Sequence, residues 1–321
     1  MFDNEMICEF PIHYIQEKTM GIFTGDLILI GAGSGTGKST LSRLITMSAK
    51  KQNVPVVLYS LENQPGTFIR EETRMMYNAD TGSCINERAF KQAHHDNPKR
   101  YEKYRRAVFE ESQRTNADGL KLFKLHESVS DSNWDINKIL HSMSEEYEQG
   151  YRMFIIDHID MLITDPRNEI TQTYANMNKL WAFVASKNIA LITFSQLSGS
   201  MREGVLAPSD EDLRGSKTKG QRATAVITIA RHDYGYYISG MHPNAQPTYV
   251  RLAKFRDGKT GCAIVFFEND HYLPYDEKEV LCNKTGTLVD GVNQEKLIQF
   301  KISQNKPKEK VSNETYRTTT K

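Results

Sequence analysis

Residues Leu27 to Ile30 form an unbroken aliphatic run, and Gly31-Ala32-Gly33-Ser34-Gly35-Thr36-Gly37-Lys38-Ser39-Thr40 follows without a gap. Few local patterns constrain a fold as tightly. The run reads as a strand, the small residues as a turn whose amides converge, and the residues from Lys38 onward as a helix whose positive end faces the same point. This is a phosphate-binding loop, with Lys38 reaching the β- and γ-phosphates and the Ser39 hydroxyl placed for Mg²⁺. The pattern G-x-x-x-x-G-K-[ST] is met except at its first position, where Ala32 is still small. The nucleotide is therefore expected against Gly33, Ser34, Gly35, Thr36, Gly37, Lys38, Ser39 and Thr40.

Further aliphatic and β-branched runs recur at Val54 to Leu61, Leu120 to Leu125, Phe154 to Asp157, Ile189 to Phe194, Ala225 to Ala230, Tyr249 to Lys254 and Cys262 to Phe267. Helical spacing lies between the earlier ones, as at Ile136, Ile139, Leu140, Met143 and Tyr147, with Asp131 or Ser132 as the expected cap. Alternation of this kind predicts an α/β fold, a mostly parallel central sheet with helices on both faces. The last two strands are expected to close the sheet in antiparallel fashion. One domain is expected over residues 19–300, after a linker of residues 1–18 and before a polar tail of residues 301–321 with too little to bury. That tail carries six Lys or Arg against two Asp or Glu, which suits either solvation or contact with DNA.

Charge decides little, because 41 Lys plus Arg stand against 40 Asp plus Glu, so any basic binding surface must be local. Cys8, Cys84, Cys262 and Cys282 include no C-x-x-C pair, which fits a reducing cytoplasm and supplies no zinc site. No apolar run is long enough for a membrane span, and the expected location is the cytoplasm, that of a bacterial host for a phage-encoded chain. Between residues 88 and 115, Tyr101, Tyr104 and Val108 form an apolar stripe among many charges, so a solvated helix pair is expected there rather than a nucleic-acid patch.

Functional groups in a parallel sheet gather at the carboxyl ends of strands. Asp157 ends one apolar strand and is expected in the Mg²⁺ shell opposite Ser39; the next residue is His158, so the base must come from elsewhere. Glu62 ends another strand and can polarise a water aimed at the γ-phosphate. Gln196 follows a third strand, where an amide can donate to a γ-phosphate oxygen without adding charge. The segment Ser198 to Gln221 mixes glycines with Arg202, Arg214, Lys217 and Lys219, a composition suited to a nucleic-acid backbone. Lys254 and Arg256 share one face at the end of a later strand. They either pair with this chain's own carboxylates or reach a nucleotide held by a neighbour.

In their order, Gly33-Ser34-Gly35-Thr36-Gly37-Lys38-Ser39, Tyr59-Ser60-Leu61-Glu62, Ile155-Ile156-Asp157-His158, Ser195-Gln196-Leu197, Asp212-Leu213-Arg214-Gly215-Ser216 with Gln221, and Lys254-Phe255-Arg256 resemble the motor domain of DnaB-type replicative helicases. These are hexameric, RecA-like P-loop motors of helicase superfamily four. Asp157-His158 and the Asp212 to Ser216 run look most like the helicase half of phage primase-helicase proteins, and the resemblance covers about residues 18–270. It implies Glu62 as catalytic base, Gln196 as γ-phosphate sensor, Arg256 as an arginine finger acting in trans with Lys254 beside it, and Phe267 against the base. It further implies that Arg214, Ser216, Lys217 and Lys219 lie where single-stranded DNA is gripped, although Gly215 and Lys217 differ from the bacterial loop.

The implied activity is ATP-dependent (or other NTP-dependent), Mg²⁺-requiring unwinding of forked duplex during replication, with 5′-to-3′ travel of a homo-hexamer along a single strand. Only about 18 residues precede the motor, so a separate primase is expected, with a polymerase or loader as further partners and no membrane. A segment from Glu5 to Glu17, bearing Phe10, Ile12, Tyr14 and Ile15, is expected to dock on the adjacent subunit. Two other classes share these nucleotide parts: a RecA-like single-strand-dependent recombinase, and a nucleotide-switched loading or assembly factor.

Overall fold

A strand buried on both faces must alternate its apolar side chains between two cores, and the aliphatic runs here do so. The computed structural model describes residues 4–83, 85–127, 134–198, 207–213, 218–231, 236–238, 246–268, 271–272, 280–282 and 300–302. The chain enters through β1 (Met6–Cys8), α1 (His13–Thr19) and β2 (Ile22–Phe23), then runs through β3 (Leu27–Ala32), α2 (Lys38–Lys51) and β4 (Val56–Ser60). Three helices follow, α3 (Thr67–Thr81), α4 (Glu87–Asp96) and α5 (Pro98–Ser112), before β5 (Phe123–Glu127). Next come α6 (Ile136–Gln149), β6 (Met153–Asp157), α7 (Glu169–Lys187), β7 (Ala190–Gln196), α8 (Thr218–Arg222) and β8 (Ala225–Arg231). The last strands are β9 (Tyr236–Ile238), β10 (Gln246–Phe255), β11 (Gly261–Glu268), β12 (His271–Tyr272), β13 (Val280–Cys282) and β14 (Phe300–Ile302).

The main sheet has the order β12-β11-β10-β8-β3-β7-β6-β4-β5, with β13 also on β11. From β8 to β5 every pairing is parallel, and β10 and β11 add to it in antiparallel sense, as their shorter links predict. Parallel neighbours need crossovers, and those crossovers supply the covering helices. Ile28, Ile30, Val56, Leu58, Ile155 and Ile192 face a core shared with Leu41 and Ile45 of α2. Their sequence neighbours Leu27, Val57, Tyr59, Phe154, Ile156 and Leu191 face the other, with Ile139 and Met143 of α6 and Leu180 and Val184 of α7. Each such side chain contributes about 1.5–3 kcal/mol by burial.

Two local expectations change. Phe10, Ile12, Tyr14 and Ile15 are buried in this chain's own core, so the segment ahead of β2 is part of the body rather than a linker that docks on a neighbour. The Tyr14 hydroxyl lies so close to Gly261 of β11 that any side chain there would collide with it. The cap of α6 is Asp135, whose carboxylate accepts from the Asn137 and Lys138 amides at 2.8 and 3.0 Å; residues 131 and 132 lie outside the described residues. Asp135→Ala is expected to cost about 1 kcal/mol, read as a lower urea midpoint.

The helix pair α4 and α5 matches its stripe. Tyr101, Tyr104 and Val108 are buried, and Tyr101 stacks edge-on with Tyr77 and Phe90, each at 4.9 Å between centroids. Three of the surrounding cations have carboxylate partners, Lys103 with Asp80, Arg105 with Glu102 and Arg106 with Glu110. Among the described residues no helix is long and apolar enough to cross a membrane. The polar tail from residue 303 onward lies outside the described residues.

Candidate active site

Register places the ends of the parallel strands side by side, Ala32 beside Gln196 and Ile229, and Ser60 beside Asp157. The glycine-rich loop leaves this edge. Ala32 itself is the last residue of β3, which explains why a methyl group is tolerated at the first pattern position. Gly37 has φ 93° and caps α2, so its conformation favours glycine, and a Cβ there would lie 3.1 Å from the Arg231 guanidinium, which would have to give way. The Thr36 hydroxyl donates to the Gly33 carbonyl at 2.7 Å, and Ser34 and Gly35 stand at the crest of the loop. Lys38 is buried, with Ser39 and Thr40 half-buried behind it on the first turn of α2. The positive end of that helix dipole favours an anion at the loop.

Asp157 is buried beside them. Its Oδ2 lies 3.4 Å from the Ser42 hydroxyl, the Ser39 side chain is a further polar neighbour, and Oδ1 has no hydrogen-bond partner among the described residues. Burial pushes this carboxyl above its usual value, against the opposing pull of Ser39, His158 and Lys38. A buried carboxylate oxygen without a partner is costly, and a divalent cation held between Ser39 and Asp157 satisfies it. The residues present therefore fit Mg²⁺.

Glu62 is reached from the same edge. Its side chain is 44% exposed, and Oε2 lies 3.3 Å from His158 Nε2, a contact not aligned as a hydrogen bond. On its other side the His158 Nδ1 is 3.2 Å from Asp160 Oδ2. Asp160 also accepts the Gln196 backbone N–H at 2.7 Å, the Ser195 hydroxyl at 3.1 Å and the Lys219 ammonium. Burial alone would raise the Asp160 carboxyl, but His158, Lys219 and the Gln196 amide outweigh it and hold the group well below the usual carboxylate range. Glu62 and Gln196 thus sit at two ends of one polar chain.

Lys219 corrects an expectation. Its neighbours in sequence point to the DNA-gripping surface, yet its side chain has 0% exposure and its ammonium is spent on Asp160 and Ser195, so it cannot meet a phosphate backbone. Arg214, Ser216 and Lys217 lie outside the described residues. Phe267 is half-buried near the loop's far side, with the Arg231 guanidinium 3.9 Å above its ring. Arg231 is not among the expected residues, although it ends β8, the parallel neighbour of β3, and the strand-end rule points to it.

Lys254 and Arg256 are elsewhere. The Arg256 amide bonds the Thr224 carbonyl, and the Thr224 amide bonds the Leu27 carbonyl, so both cations stand at the amino end of β3. From Leu27 to Gly33 a strand rising ~3.3 Å per residue covers roughly 20 Å. Their partners are backbone carbonyls: Lys254 donates to Gly220 and Gln221 at 2.7 and 2.9 Å, and Arg256 to Arg222 at 3.0 Å. Partial burial, then the neighbouring Arg256 charge, pull the Lys254 ammonium below its usual value.

A DNA helicase/primase of Enterobacteria phage T3 is 26% identical over 268 residues, which is 78% of this chain and 42% of that protein, so this chain spans less than half of its relative. A solved structure described as an ATPase domain superposes with TM-score 0.67 at 20% identity, covering 84% of this chain and 93% of that one. A DnaB-like replicative helicase, solved in a study of its interactions with primase, superposes with TM-score 0.66 at 20% identity over 84% of this chain and 63% of that one. Residues 10–274 match the DnaB-like helicase C-terminal domain, and the chain belongs to that family.

Proposed function

We propose that this chain is the motor of a ring-forming, ATP-dependent DNA helicase, most like the helicase half of phage primase-helicases. The observation that carries the reading is the split of the phosphate-handling groups. Lys38, Ser39, Asp157 and Glu62 share one edge of the sheet, and Lys254 and Arg256 stand at the opposite edge, too far to serve the same nucleotide. A complete site then needs two chains, each lending its cations to the next, and a closed ring of six satisfies every site.

Within such a site the loop amides and Lys38 hold the phosphates, and the α2 dipole adds to them. Mg²⁺, held by Ser39 and Asp157, would neutralise charge on the β- and γ-oxygens. Glu62 takes the proton of the attacking water, and His158 orients it. Gln196 donates its amide to the γ-phosphate, Phe267 lies against the base with Arg231 beside it, and Arg256 of the next subunit offsets transition-state charge. Arg214, Ser216 and Lys217 contact the single strand, and travel is 5′ to 3′. A primase is a partner of this motor, and a loader or polymerase is a further one; the T3 relative's description as helicase/primase supports the coupling to priming.

The deciding test is unwinding of forks bearing only a 5′ or only a 3′ tail, with Glu62→Gln as the inactive control. Unwinding of the 5′-tailed fork alone is expected. Homologous strand exchange without unwinding would replace the reading with a recombinase, and hydrolysis indifferent to single-stranded DNA would replace it with a nucleotide-switched assembly factor.

A further inference from the structure

The described residues on either side of positions 214–217 are tied to the strand that ends in Gln196. Ahead of them Leu213 forms a β-bridge with Leu197, and Ser198 donates its amide and hydroxyl to the Asp212 carbonyl at 2.8 and 2.9 Å. Behind them α8 begins, and its Lys219 donates to Asp160 and to Ser195 Oγ, the latter at 3.0 Å. The far side of this five-residue helix is held differently. Lys254 and Arg256 donate to the carbonyls of Gly220, Gln221 and Arg222. One short helix is thus gripped at one end by the polar chain that leads through Asp160 and His158 to Glu62, and at the other by the two cations assigned to a neighbour's nucleotide.

A lysine with no exposed surface is an expensive way to fill space. Two apolar residues of the same volume would avoid the desolvation of both charges, so a buried ion pair is weak as a source of stability, and what it supplies is a fixed geometry. Asp160 is where that geometry matters, because it also holds the Gln196 amide and faces His158. Any displacement of α8 must either carry Asp160 with it or leave a buried charge unpaired.

We propose that the Lys219–Asp160 pair is a positioning link: it couples α8, the element that directly follows Arg214, Ser216 and Lys217 in the sequence, to the placement of Glu62 and Gln196, so that binding of a single strand sets the rate of ATP turnover. Lys219 acts through Asp160 and touches neither nucleotide nor DNA. This inference rests on the functional reading above, and deepens it by naming the residues that carry the coupling.

Removing both charges tests it in the full chain. Asp160→Asn with Lys219→Met leaves no unpaired charge and is expected to keep the fold. Its turnover ratio with and without single-stranded DNA should fall at least about fivefold relative to the wild type, through kcat, with KM for ATP within about twofold. Equal stimulation in wild type and variant overturns the coupling while leaving the functional reading intact; a wild type that ignores single strands overturns both. A second measurement keeps the pair in place and needs no DNA. The chain has two tryptophans, and the Arg222 guanidinium of α8 lies 4.9 Å from the Trp181 ring, so Trp134→Phe leaves Trp181 as the sole reporter of that helix. Exchanging ADP for a non-hydrolysable ATP analogue should shift Trp181 emission, and an emission unmoved by the exchange overturns the proposal.

Discussion

Arg256→Ala is expected to lower ATP turnover by roughly 10³–10⁵-fold, the range found for a guanidinium that offsets charge in phosphoryl transfer. Folding should be little affected, because Arg256 is exposed and its hydrogen bonds end on the carbonyls of Gln221 and Arg222 at the surface. Nucleotide binding should survive as well, since the loop, Lys38 and Asp157 lie roughly 20 Å away by strand rise. The informative arm is a mixture with Lys38→Ala subunits. Where a loop from an Arg256→Ala chain meets a cation from a Lys38→Ala chain, the site is whole, so the mixture should regain turnover that neither variant has alone. Mixtures as inactive as their components would argue against a shared site.

Lys219→Met alone is expected to destabilise the chain by about 3–5 kcal/mol at pH 7, because it leaves Asp160 buried without its charged partner. The acid dependence has a definite sign. In the wild type the Asp160 carboxyl is held low by His158, Lys219 and the Gln196 amide against the opposing effect of burial. Its contribution is therefore complete above the unfolded carboxylate pKa of about 4 and is lost as pH falls through the lower folded value. In the variant the Lys219 contribution is gone, so the carboxyl rises relative to the wild type and protonation relieves part of the penalty. The gap between the two urea midpoints should be widest near neutrality and should narrow as pH falls from the variant's folded value toward the lower one of the wild type. A gap independent of pH would mean that lost packing around the lysine stem, not charge, carries the cost.

How much is legible in the sequence depends on whether the signal is local. The phosphate loop is complete as written, since strand, small residues and helix start are consecutive, and Asp157, Glu62 and Gln196 follow from the rule that strand ends collect function. The same rule reaches Arg231, although a single arginine after an apolar run carries no motif that would single it out. The stripe of Tyr101, Tyr104 and Val108 is readable by helical spacing. By contrast, Phe10, Ile12, Tyr14 and Ile15 announce an apolar face without saying whose core it joins. The opposite error arises at Lys219, where a cation among cations and glycines looks solvated whatever lies across from it.

The sequence by itself determined the α/β alternation, the phosphate loop and the order of strand-end groups, because each is set by neighbours within a few residues. Only the tertiary structure decided that Lys219 is interior, that Asp160 joins it to His158 and Gln196, and that Lys254 and Arg256 face away from their own chain's loop. Those facts depend on strand order and register, β10 running antiparallel to β8 while β8 runs parallel to β3. Partners such as Asp160 and Lys219 lie far apart in the chain, and nothing in either neighbourhood encodes the meeting until the sheet brings them together.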